Sequence, residues 1–345
     1  MCTRYQGGKG RANRIERCLE ASVIGQPVAV TTLAKAIRRY ENGWCTDDHP
    51  PVFLFLGPSG TGKTELAKQI AKYHHKNNED AFIRLDMSEY QERHSVSRMI
   101  GSPPGYIGSQ EGGYLTKALK KCNSAVVLFD EIEKAHPKML TILLQLFDEG
   151  RLTDGLNETI KCRDATFIMT SNLASGVIAR YIEKLRLGLS RDEESGEDKS
   201  EGLHDVKRNT FSISREFNDE IVRPILKEHF KLDELLGRIS ETIYFFPFSP
   251  EDVSKLATRE MESWARKIKH NRSIELSWEP EIVKFICKGY NIVYGARSIK
   301  HEVETGVITE ISECHSKFED QPEKIHVSVE RCEECSVDHI KVEIE

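Results

Sequence analysis

A glycine-rich stretch between a predicted strand and a predicted helix carries the clearest chemical signal in the chain. Residues 57–64 read Gly-Pro-Ser-Gly-Thr-Gly-Lys-Thr, the Gly-x4-Gly-Lys-Thr spacing of a phosphate-binding loop. Glycines let backbone N–H groups close around phosphate oxygens, and the helix that follows adds its N-terminal dipole. The pattern assigns Lys63 to the β- and γ-phosphates of ATP and the Thr64 hydroxyl to Mg²⁺. Further contacts to the nucleotide are expected from Ser59, Gly60, Thr61 and Gly62.

A pair of acids supplies the second half of a hydrolytic site. Asp130 and Glu131 directly follow the apolar run 125–129, which reads as a buried strand. Ligands of open α/β sheets sit at the carboxyl ends of the strands, so both acids are expected beside the phosphate-binding loop. We predict that Asp130 holds Mg²⁺ and that Glu131 polarises the attacking water as a general base. The alternative is a pair of solvated acids at the start of a helix.

The elements that must position these residues alternate between strands and helices. We predict strands over 52–56, 81–85, 125–129, 165–169 and 242–246. Between and before them we predict helices over 27–40, 63–75 and 137–147. Continuous apolar runs of strand length are typical of parallel sheets that are covered on both faces. The order predicts a doubly wound α/β domain.

After residue 248 the pattern changes to a smaller α+β domain. Helices are predicted over 251–269, 280–287 and 298–314, and strands over 273–276, 324–329 and 339–344. The predicted organisation is an N-terminal extension over 1–19, a large domain over 20–248 and a small domain over 249–345. Residues 191–208 are dominated by Asp, Glu, Lys, Ser and Gly, and we expect them to form a mobile surface insertion.

Composition excludes several classes of partner. The 345 residues are 39% hydrophobic and 30% charged with a net charge of -6, which argues against nucleic acid. No apolar run approaches the roughly 20 residues of a membrane span, so no membrane partner is expected. Nine scattered cysteines do not suggest a disulfide framework. Cys332 and Cys335 form one CxxC, which either ends a turn between two strands or binds zinc together with His326 and His339.

Taken together, six motifs make the chain resemble the Clp-type AAA+ ATPases, and specifically the C-terminal ATPase module of ClpB-like protein disaggregases. They are Val-Ile-Gly-Gln at 23–26, Leu-Asp-Met-Ser-Glu-Tyr at 85–90, Gly-Ser-Pro-Pro-Gly-Tyr-Ile-Gly at 101–108, Gly-Arg-Leu-Thr-Asp-Gly at 150–155, Met-Thr-Ser-Asn at 169–172 and Tyr-Gly-Ala-Arg-Ser at 294–298. The resemblance covers residues from about 20 to 345, and residues 36–44 are most similar to the animal mitochondrial branch, which has a single ATPase module.

The resemblance implies roles for further residues around the nucleotide. The adenine pocket would be lined by Ser22, Val23 and Ile24. Asn172 ends the strand 165–169 and resembles the sensor-1 residue that orients the attacking water; its alternative is a cap for the next helix. Arg297, on the small domain, resembles the sensor-2 arginine.

An arginine finger that reaches a neighbouring subunit is the least regular part of the resemblance. Arg238 stands at the matching position, but Gly237 replaces the usual Asn before it. Arg223 is the rival candidate, and surface salt bridging is the alternative role for Arg238. A finger acting in trans implies a ring, for which the resemblance implies a homo-hexamer.

A substrate-gripping loop is expected where an aromatic residue lies between glycines. Tyr106 and Ile107 follow Pro-Pro-Gly and resemble the pore loop that grips polypeptide in the channel of a hexamer. Tyr106 folded against its own domain is the alternative. Residues 156–159 would form a second pore loop. The implied partner is misfolded or aggregated polypeptide, and the implied location is the mitochondrion, with the cytoplasm as the alternative.

Three functions follow, of which an ATP-driven disaggregase or unfoldase comes first. The second is the unfoldase partner of a compartmental peptidase, for which Leu187, Gly188 and Leu189 would be the docking loop, unless they continue a helical stripe. The third is a non-hydrolysing ATP-gated scaffold, which the intact Lys63 and Glu131 argue against. We find no second phosphate-binding loop, no coiled-coil middle domain and no ankyrin-like repeats, so we expect either a fragment or a chain that lacks such a region.

Overall fold

The computed structural model describes residues 14–45, 49–76, 78–92, 94–102, 112–194, 213–316, 323–331 and 338–344. The chain divides into two compact units. The first comprises Met1–Gly57 and Gly62–Phe246, and the second comprises Pro58–Thr61 and Pro247–Glu345. Among the described residues, no helix combines the length and the apolar character needed to cross a membrane.

The first unit is built on a parallel sheet of five strands. The strands of the unit, numbered in chain order, are β1 Val52–Leu56, β2 Phe82–Asp86, β3 Val126–Asp130, β4 Arg151–Thr153, β5 Thr159–Lys161, β6 Thr166–Ser171 and β7 Glu241–Tyr244. Strands β4 and β5 form a separate antiparallel hairpin, and the other five form the sheet. The sheet order is β2-β3-β6-β1-β7, and every neighbouring pair is parallel. Strands β1, β3 and β6 occupy the interior of the sheet and are buried along their whole length.

Helices cover both faces of this sheet, which confirms the predicted doubly wound α/β fold. In β1, Leu54 belongs to one core, while Phe53 and Phe55 belong to the core on the opposite face, as the alternation of a strand requires. The helices of the unit are Arg14–Glu20, Pro27–Glu41, Lys63–His75, Ser95–Ile100, Tyr114–Lys121, Pro137–Glu149, Ser175–Glu194, Arg215–Phe217, Arg223–Phe230 and Asp233–Gly237. Short 3₁₀ turns span Glu79–Ala81, Met87–Tyr90 and Ile132–Lys134, and a π-helical turn spans Asn218–Val222.

Two boundaries differ from the sequence-based expectation. The helix Arg14–Glu20 buries Ile15 and Leu19 in the core of the first unit, so these residues are part of that unit rather than of an N-terminal extension. The large unit ends at Phe246, two residues before the expected boundary. The helix Ser175–Glu194 runs into the charged segment, and the rest of the predicted insertion lies outside the described residues.

The second unit is a small α+β structure, as predicted. Its strands are β8 Glu275–Trp278, β9 Lys324–Arg331 and β10 Asp338–Ile344. Strand β9 pairs antiparallel with β10 and parallel with β8. The helices are Pro250–Arg272, Pro280–Lys288, Ala296–Glu302 and Thr309–His315, with a π-helical turn over Val303–Ile308 inside the predicted helix 298–314. Cys332 and Cys335 lie outside the described residues, so the zinc hypothesis stays untested.

Candidate nucleotide site

The phosphate-binding loop begins with a backbone that only glycine tolerates. Gly57 has a φ of +148°, and a Cβ at this position would meet the carbonyl oxygen of Phe245. Gly62 has a φ of +102° and caps the helix Lys63–His75. Since left-handed and related conformations strain residues with a Cβ, both glycines are required by the shape of the loop. The loop therefore brings its backbone close to β7 and starts the helix at Lys63.

Lys63 is the charged centre of the loop. Only 8% of its surface is exposed, and its Nζ donates to the carbonyl oxygen of Gly57 at 2.6 Å and to Oδ1 of Asn172 at 2.8 Å. A buried ammonium needs acceptors, and these two oxygens belong to neutral groups. Lys63 and Asn172, which were predicted separately as site residues, are thus in direct contact.

Asp130 is slightly more buried than Lys63, with 7% of its surface exposed, and it accepts from donors on three other segments. Its Oδ1 accepts from Thr170 Oγ1 at 2.5 Å, and its Oδ2 accepts from Arg84 at 2.7 and 3.0 Å. The Thr64 hydroxyl lies 3.4 Å from the same Oδ2. A carboxylate beside a hydroxyl is a set of hard oxygens that suits Mg²⁺. Arg84 and Thr170 are site residues that the sequence did not reveal.

Glu131 turns the chain sharply where β3 ends. It adopts the left-handed conformation with φ +57° and ψ 53°, which costs a non-glycine residue roughly 1–3 kcal/mol. Its backbone N–H donates to Thr170 Oγ1 at 3.0 Å, the same hydroxyl that donates to Asp130. Its carboxylate pairs with Lys134 at 2.5 Å, and this contact raises the pKa of the Lys134 ammonium. Strain of this kind is concentrated at functional positions.

Asn172 follows β6, whose neighbours in the sheet are β1 and β3. Its side-chain oxygen faces Lys63, and its backbone N–H donates to Oε1 of Glu133 at 3.0 Å. The observed hydrogen bond of the side chain is therefore to Lys63, and the sensor-1 role of Asn172 stays a prediction. Glu133 is a third residue that the sequence did not reveal.

The predicted adenine-side segment is anchored to the end of the sheet. The Gln26 side chain donates to the carbonyl oxygen of Phe246 at 2.8 Å and accepts from its N–H at 3.0 Å. Val23 is buried, and its Cγ1 would lie 3.6 Å from a Cβ at Gly62. Ser22 and Ile24 are partly exposed on either side of Val23. The structure thus places this segment against the loop while leaving side chains accessible.

The middle of the loop belongs to the second unit together with the predicted sensor-2 arginine. Arg297 Nη1 donates to Ser59 Oγ at 3.2 Å. The backbone N–H of Ala296 donates to the carbonyl oxygen of Gly60 at 3.0 Å, and Thr61 Oγ1 donates to the carbonyl oxygen of Pro58 at 2.8 Å. Within this unit the predicted residues Ser59 and Arg297 are in contact.

The remaining predicted residues are not part of these clusters. Arg238 forms a surface pair with Asp148 at 2.7 Å, with about 40% of each side chain exposed. Arg223 is exposed at the first residue of the helix Arg223–Phe230. Tyr106 and Ile107 lie outside the described residues.

The two other predicted loops have different outcomes. Residues 156–159 follow Asp154, whose Oδ1 accepts from the N–H groups of Leu156 and Glu158 at 2.9 Å, and Leu156 is 43% exposed. Leu187 lies within the helix Ser175–Glu194 rather than in a loop. A helix at this position agrees with the predicted helical stripe, and it does not provide the loop that the peptidase-docking alternative requires.

Comparison with known proteins adds an independent line of evidence. Residues 48–242 match the AAA domain (Cdc48 subfamily), and residues 248–327 match the C-terminal, D2-small domain, of ClpB protein. The chain is 54% identical over 307 residues to the mitochondrial disaggregase of Rattus norvegicus, covering 88% of this chain and 45% of that protein. The human mitochondrial disaggregase is 53% identical over the same length, with 43% of it covered.

A bacterial relative shows the same pattern of similarity. The chaperone protein ClpB of Chlamydia pneumoniae is 40% identical over 311 residues, covering 90% of this chain and 33% of that protein. The chain thus spans less than half the length of each of these curated relatives.

Proposed function

The chain belongs to the AAA domain family, and from that premise we propose that it hydrolyses ATP to unfold or disaggregate protein. The resemblance of six motifs to Clp-type ATPases agrees with the ClpB-type small domain and with the two disaggregases to which the chain is similar. We extend the activity of these relatives to this chain as a proposal, because the matched region is less than half of each relative.

The single observation that carries the proposal is the convergence of three strand ends on one cluster. Lys63 contacts Asn172 after β6, and Thr64 contacts Asp130 at the end of β3. Lys63 would bind the β- and γ-phosphates, while Thr64 and Asp130 would hold Mg²⁺. Mg²⁺ supplies charge neutralisation on the phosphate oxygens when it is bound.

The chain's own residues perform the remaining chemistry. Glu131 accepts the proton of the attacking water as a general base, a contribution of about 10²–10⁴ in rate. The Lys134 ammonium pairs with Glu131, so this ion pair must open before the Glu131 carboxylate can accept a proton from the water. Asn172 orients the water through its amide while its oxygen stays on Lys63. Ser22, Val23 and Ile24 would enclose the adenine, and Arg297, which donates to Ser59, would act as the sensor-2 arginine.

ATP hydrolysis would drive the movement of polypeptide by loops in a ring of copies of this chain. We propose a homo-hexamer in which Tyr106 and Ile107 grip the polypeptide and Arg238 completes the neighbouring site. Arg238 is available for such a role because its pair with Asp148 is half-exposed, and exposed pairs hold a side chain by only about 0–1 kcal/mol. The substrate is misfolded or aggregated polypeptide, and we propose the mitochondrion as its location.

The test is ATP-dependent recovery of a heat-aggregated enzyme, measured with phosphate release and particle size in the same samples. We expect recovery only with ATP, and we expect Tyr106→Ala to keep phosphate release while it loses recovery. Unchanged recovery by Tyr106→Ala would show that this residue does not grip substrate. Phosphate release without any recovery by the unaltered chain would contradict the disaggregase function while leaving the ATPase in place.

A further inference from the structure

The turn Ile132–Lys134 directly follows the proposed general base, and its middle residue makes contacts that the reaction above does not use. The Oε1 of Glu133 accepts the backbone N–H of Asn172 at 3.0 Å. The backbone carbonyl oxygen of Glu133 accepts from Nε2 of His229 at 2.9 Å. Glu133 is therefore fixed at its backbone by the helix Arg223–Phe230, while its side chain holds a residue that is 39 positions away in the chain.

The contact lies on the residue that meets Lys63. Strand β6 ends at Ser171, so Asn172 is the first residue beyond the sheet. Its N–H is held by Glu133, and its side-chain oxygen accepts from Lys63 at 2.8 Å. A hydrogen bond to a carboxylate is about twice as strong as one between neutral groups. Glu133 thus sets the backbone orientation from which the Asn172 amide reaches Lys63.

The environment of the second carboxylate oxygen of Glu133 does not favour the stability of the fold. Oε2 is buried and has no hydrogen-bond partner within the part of the chain that the structure describes. A buried polar atom left unpaired costs about 1–3 kcal/mol, and more when the group is charged. A residue selected for stability alone would avoid that cost, whereas a residue selected to hold Asn172 needs a strong acceptor here.

We propose that Glu133 is a positioning residue that keeps Asn172 oriented for hydrolysis. Its carboxylate holds the Asn172 N–H, so the amide oxygen remains on Lys63 and the amide stays aimed at the attacking water. The catalytic consequence rests on the proposed ATPase function. The contact between Glu133 and Asn172 does not depend on it.

The first experiment compares ATP hydrolysis by the full chain with Glu133→Ala, Glu133→Gln and Glu183→Ala. Glu183→Ala is the matched control, because it removes an exposed carboxylate from the helix Ser175–Glu194 of the same unit. We expect Glu133→Ala to lower kcat on the order of tenfold with KM for ATP within about twofold. Glu133→Gln keeps an acceptor oxygen, so kcat should return to within about threefold of the unaltered chain. Failure of Gln to restore kcat, or an unchanged kcat in Glu133→Ala, would overturn the proposal.

A double-mutant cycle separates positioning from a general loss of structure. If Glu133 acts through Asn172, then adding Glu133→Ala to an Asn172→Ala chain should change kcat by less than about twofold. A merely structural role would lower kcat in both backgrounds by the same factor. Equal losses in the two backgrounds would therefore contradict the positioning role.

Amide hydrogen exchange tests the contact without any hydrolysis. Glu133→Ala should accelerate exchange of the Asn172 amide by about tenfold and leave the amides of β1 unchanged. Unchanged exchange at Asn172 would overturn the proposal even if the chain hydrolyses ATP. Accelerated exchange in a chain that does not hydrolyse ATP would support the contact and reject the proposed function instead.

Discussion

Asp130 and Asp154 are two aspartates of the first unit that are almost equally buried, with 7% and 6% of their surfaces exposed, but they are held in opposite ways. The donors to Asp130 are side chains: Thr170, Arg84 and the more distant Thr64 hydroxyl. Asp154 instead accepts two backbone N–H groups from the four residues that follow it, and one side chain, Lys120.

The difference separates the carboxylate that we propose as a Mg²⁺ ligand from a structural one. Side-chain donors can rotate away when a cation arrives, so the oxygens of Asp130 are exchangeable. Backbone N–H groups move only if the loop moves, so Asp154 is committed to holding the turn between β4 and β5 as an Asx-type turn. Burial alone therefore does not distinguish the proposed Mg²⁺ ligand from the structural acid, whereas the kind of donor does.

The largest expected effect is on hydrolysis in Asp130→Asn. This variant keeps an acceptor for Thr170 but loses the charge that would hold Mg²⁺, so phosphate release should fall by more than about 10²-fold. The free energy of unfolding should change by less than about 1 kcal/mol, because the amide retains a hydrogen bond. A stable chain that keeps its phosphate release would erase the distinction between the two aspartates.

The converse is expected for Asp154→Ala. Loss of the two backbone hydrogen bonds to a charged acceptor should lower the free energy of unfolding by about 2 kcal/mol, measured by urea titration followed by circular dichroism. Phosphate release without substrate should stay within about threefold of the unaltered chain, a change in barrier of less than about 1 kcal/mol. Asp154→Asn is the control, because its amide oxygen can still accept both N–H groups, and it should recover about half of the loss. A drop in phosphate release larger than the drop caused by Asp130→Asn would reverse the comparison.

A smaller effect is expected from removing the cation that competes for Asp130. Arg84 is 47% exposed and pairs with Oδ2, so its loss should free that oxygen for Mg²⁺. Exposed pairs contribute about 0–1 kcal/mol, so Arg84→Ala should lower the Mg²⁺ concentration for half-maximal phosphate release by about two- to fivefold. Arg151→Ala removes an arginine of another exposed pair, with Glu149 at 2.6 Å, and should leave the midpoint unchanged. A higher midpoint in Arg84→Ala than in Arg151→Ala would show that Arg84 supports metal binding instead.

The smallest effect is a dependence of stability on pH that belongs to Asp154. Burial would raise the pKa of this carboxyl, but Lys120 and the two backbone N–H groups outweigh it and hold the pKa below its usual value. Because the folded pKa lies below the unfolded one, the stabilisation is complete above about pH 4 and is lost as the pH falls further. The stability gap between the unaltered chain and Asp154→Asn should therefore be constant from pH 7 to about pH 5 and shrink below about pH 4. A gap that widens towards acid would contradict the sign of this shift.

The same contrast explains what could be predicted from the sequence. The turn after Asp154 and the loop from Gly57 to Thr64 are local, so spacing and residue type indicate them directly. The donors to Asp130 come from positions 46 and 40 residues away, and their approach depends on which strands are neighbours in the sheet. Arg84 had one weak signal, since it is the charged residue between the buried Ile83 and Leu85 of β2.

Three other outcomes have equally specific reasons. The basic N-terminal segment suggested an extension, but Ile15 and Leu19 are four residues apart and share one helix face, a signal that the surrounding charges concealed. The helical stripe that ends at Leu189 correctly favoured a helix over a docking loop. Glu133 could not be assigned to Asn172, because that contact depends on where the turn after β3 meets the end of β6.

The most direct test of the account is one comparison of ATP binding and phosphate release between the unaltered chain and Glu131→Gln, each with Mg²⁺ and with a chelator. We expect both chains to bind ATP with dissociation constants within about threefold of each other in Mg²⁺, and we expect Glu131→Gln to release phosphate at least about 10²-fold more slowly. The chelator should abolish release by the unaltered chain. Rapid phosphate release by Glu131→Gln would contradict the central claim that this carboxylate, held in a left-handed turn beside Asp130, is the base of an ATPase.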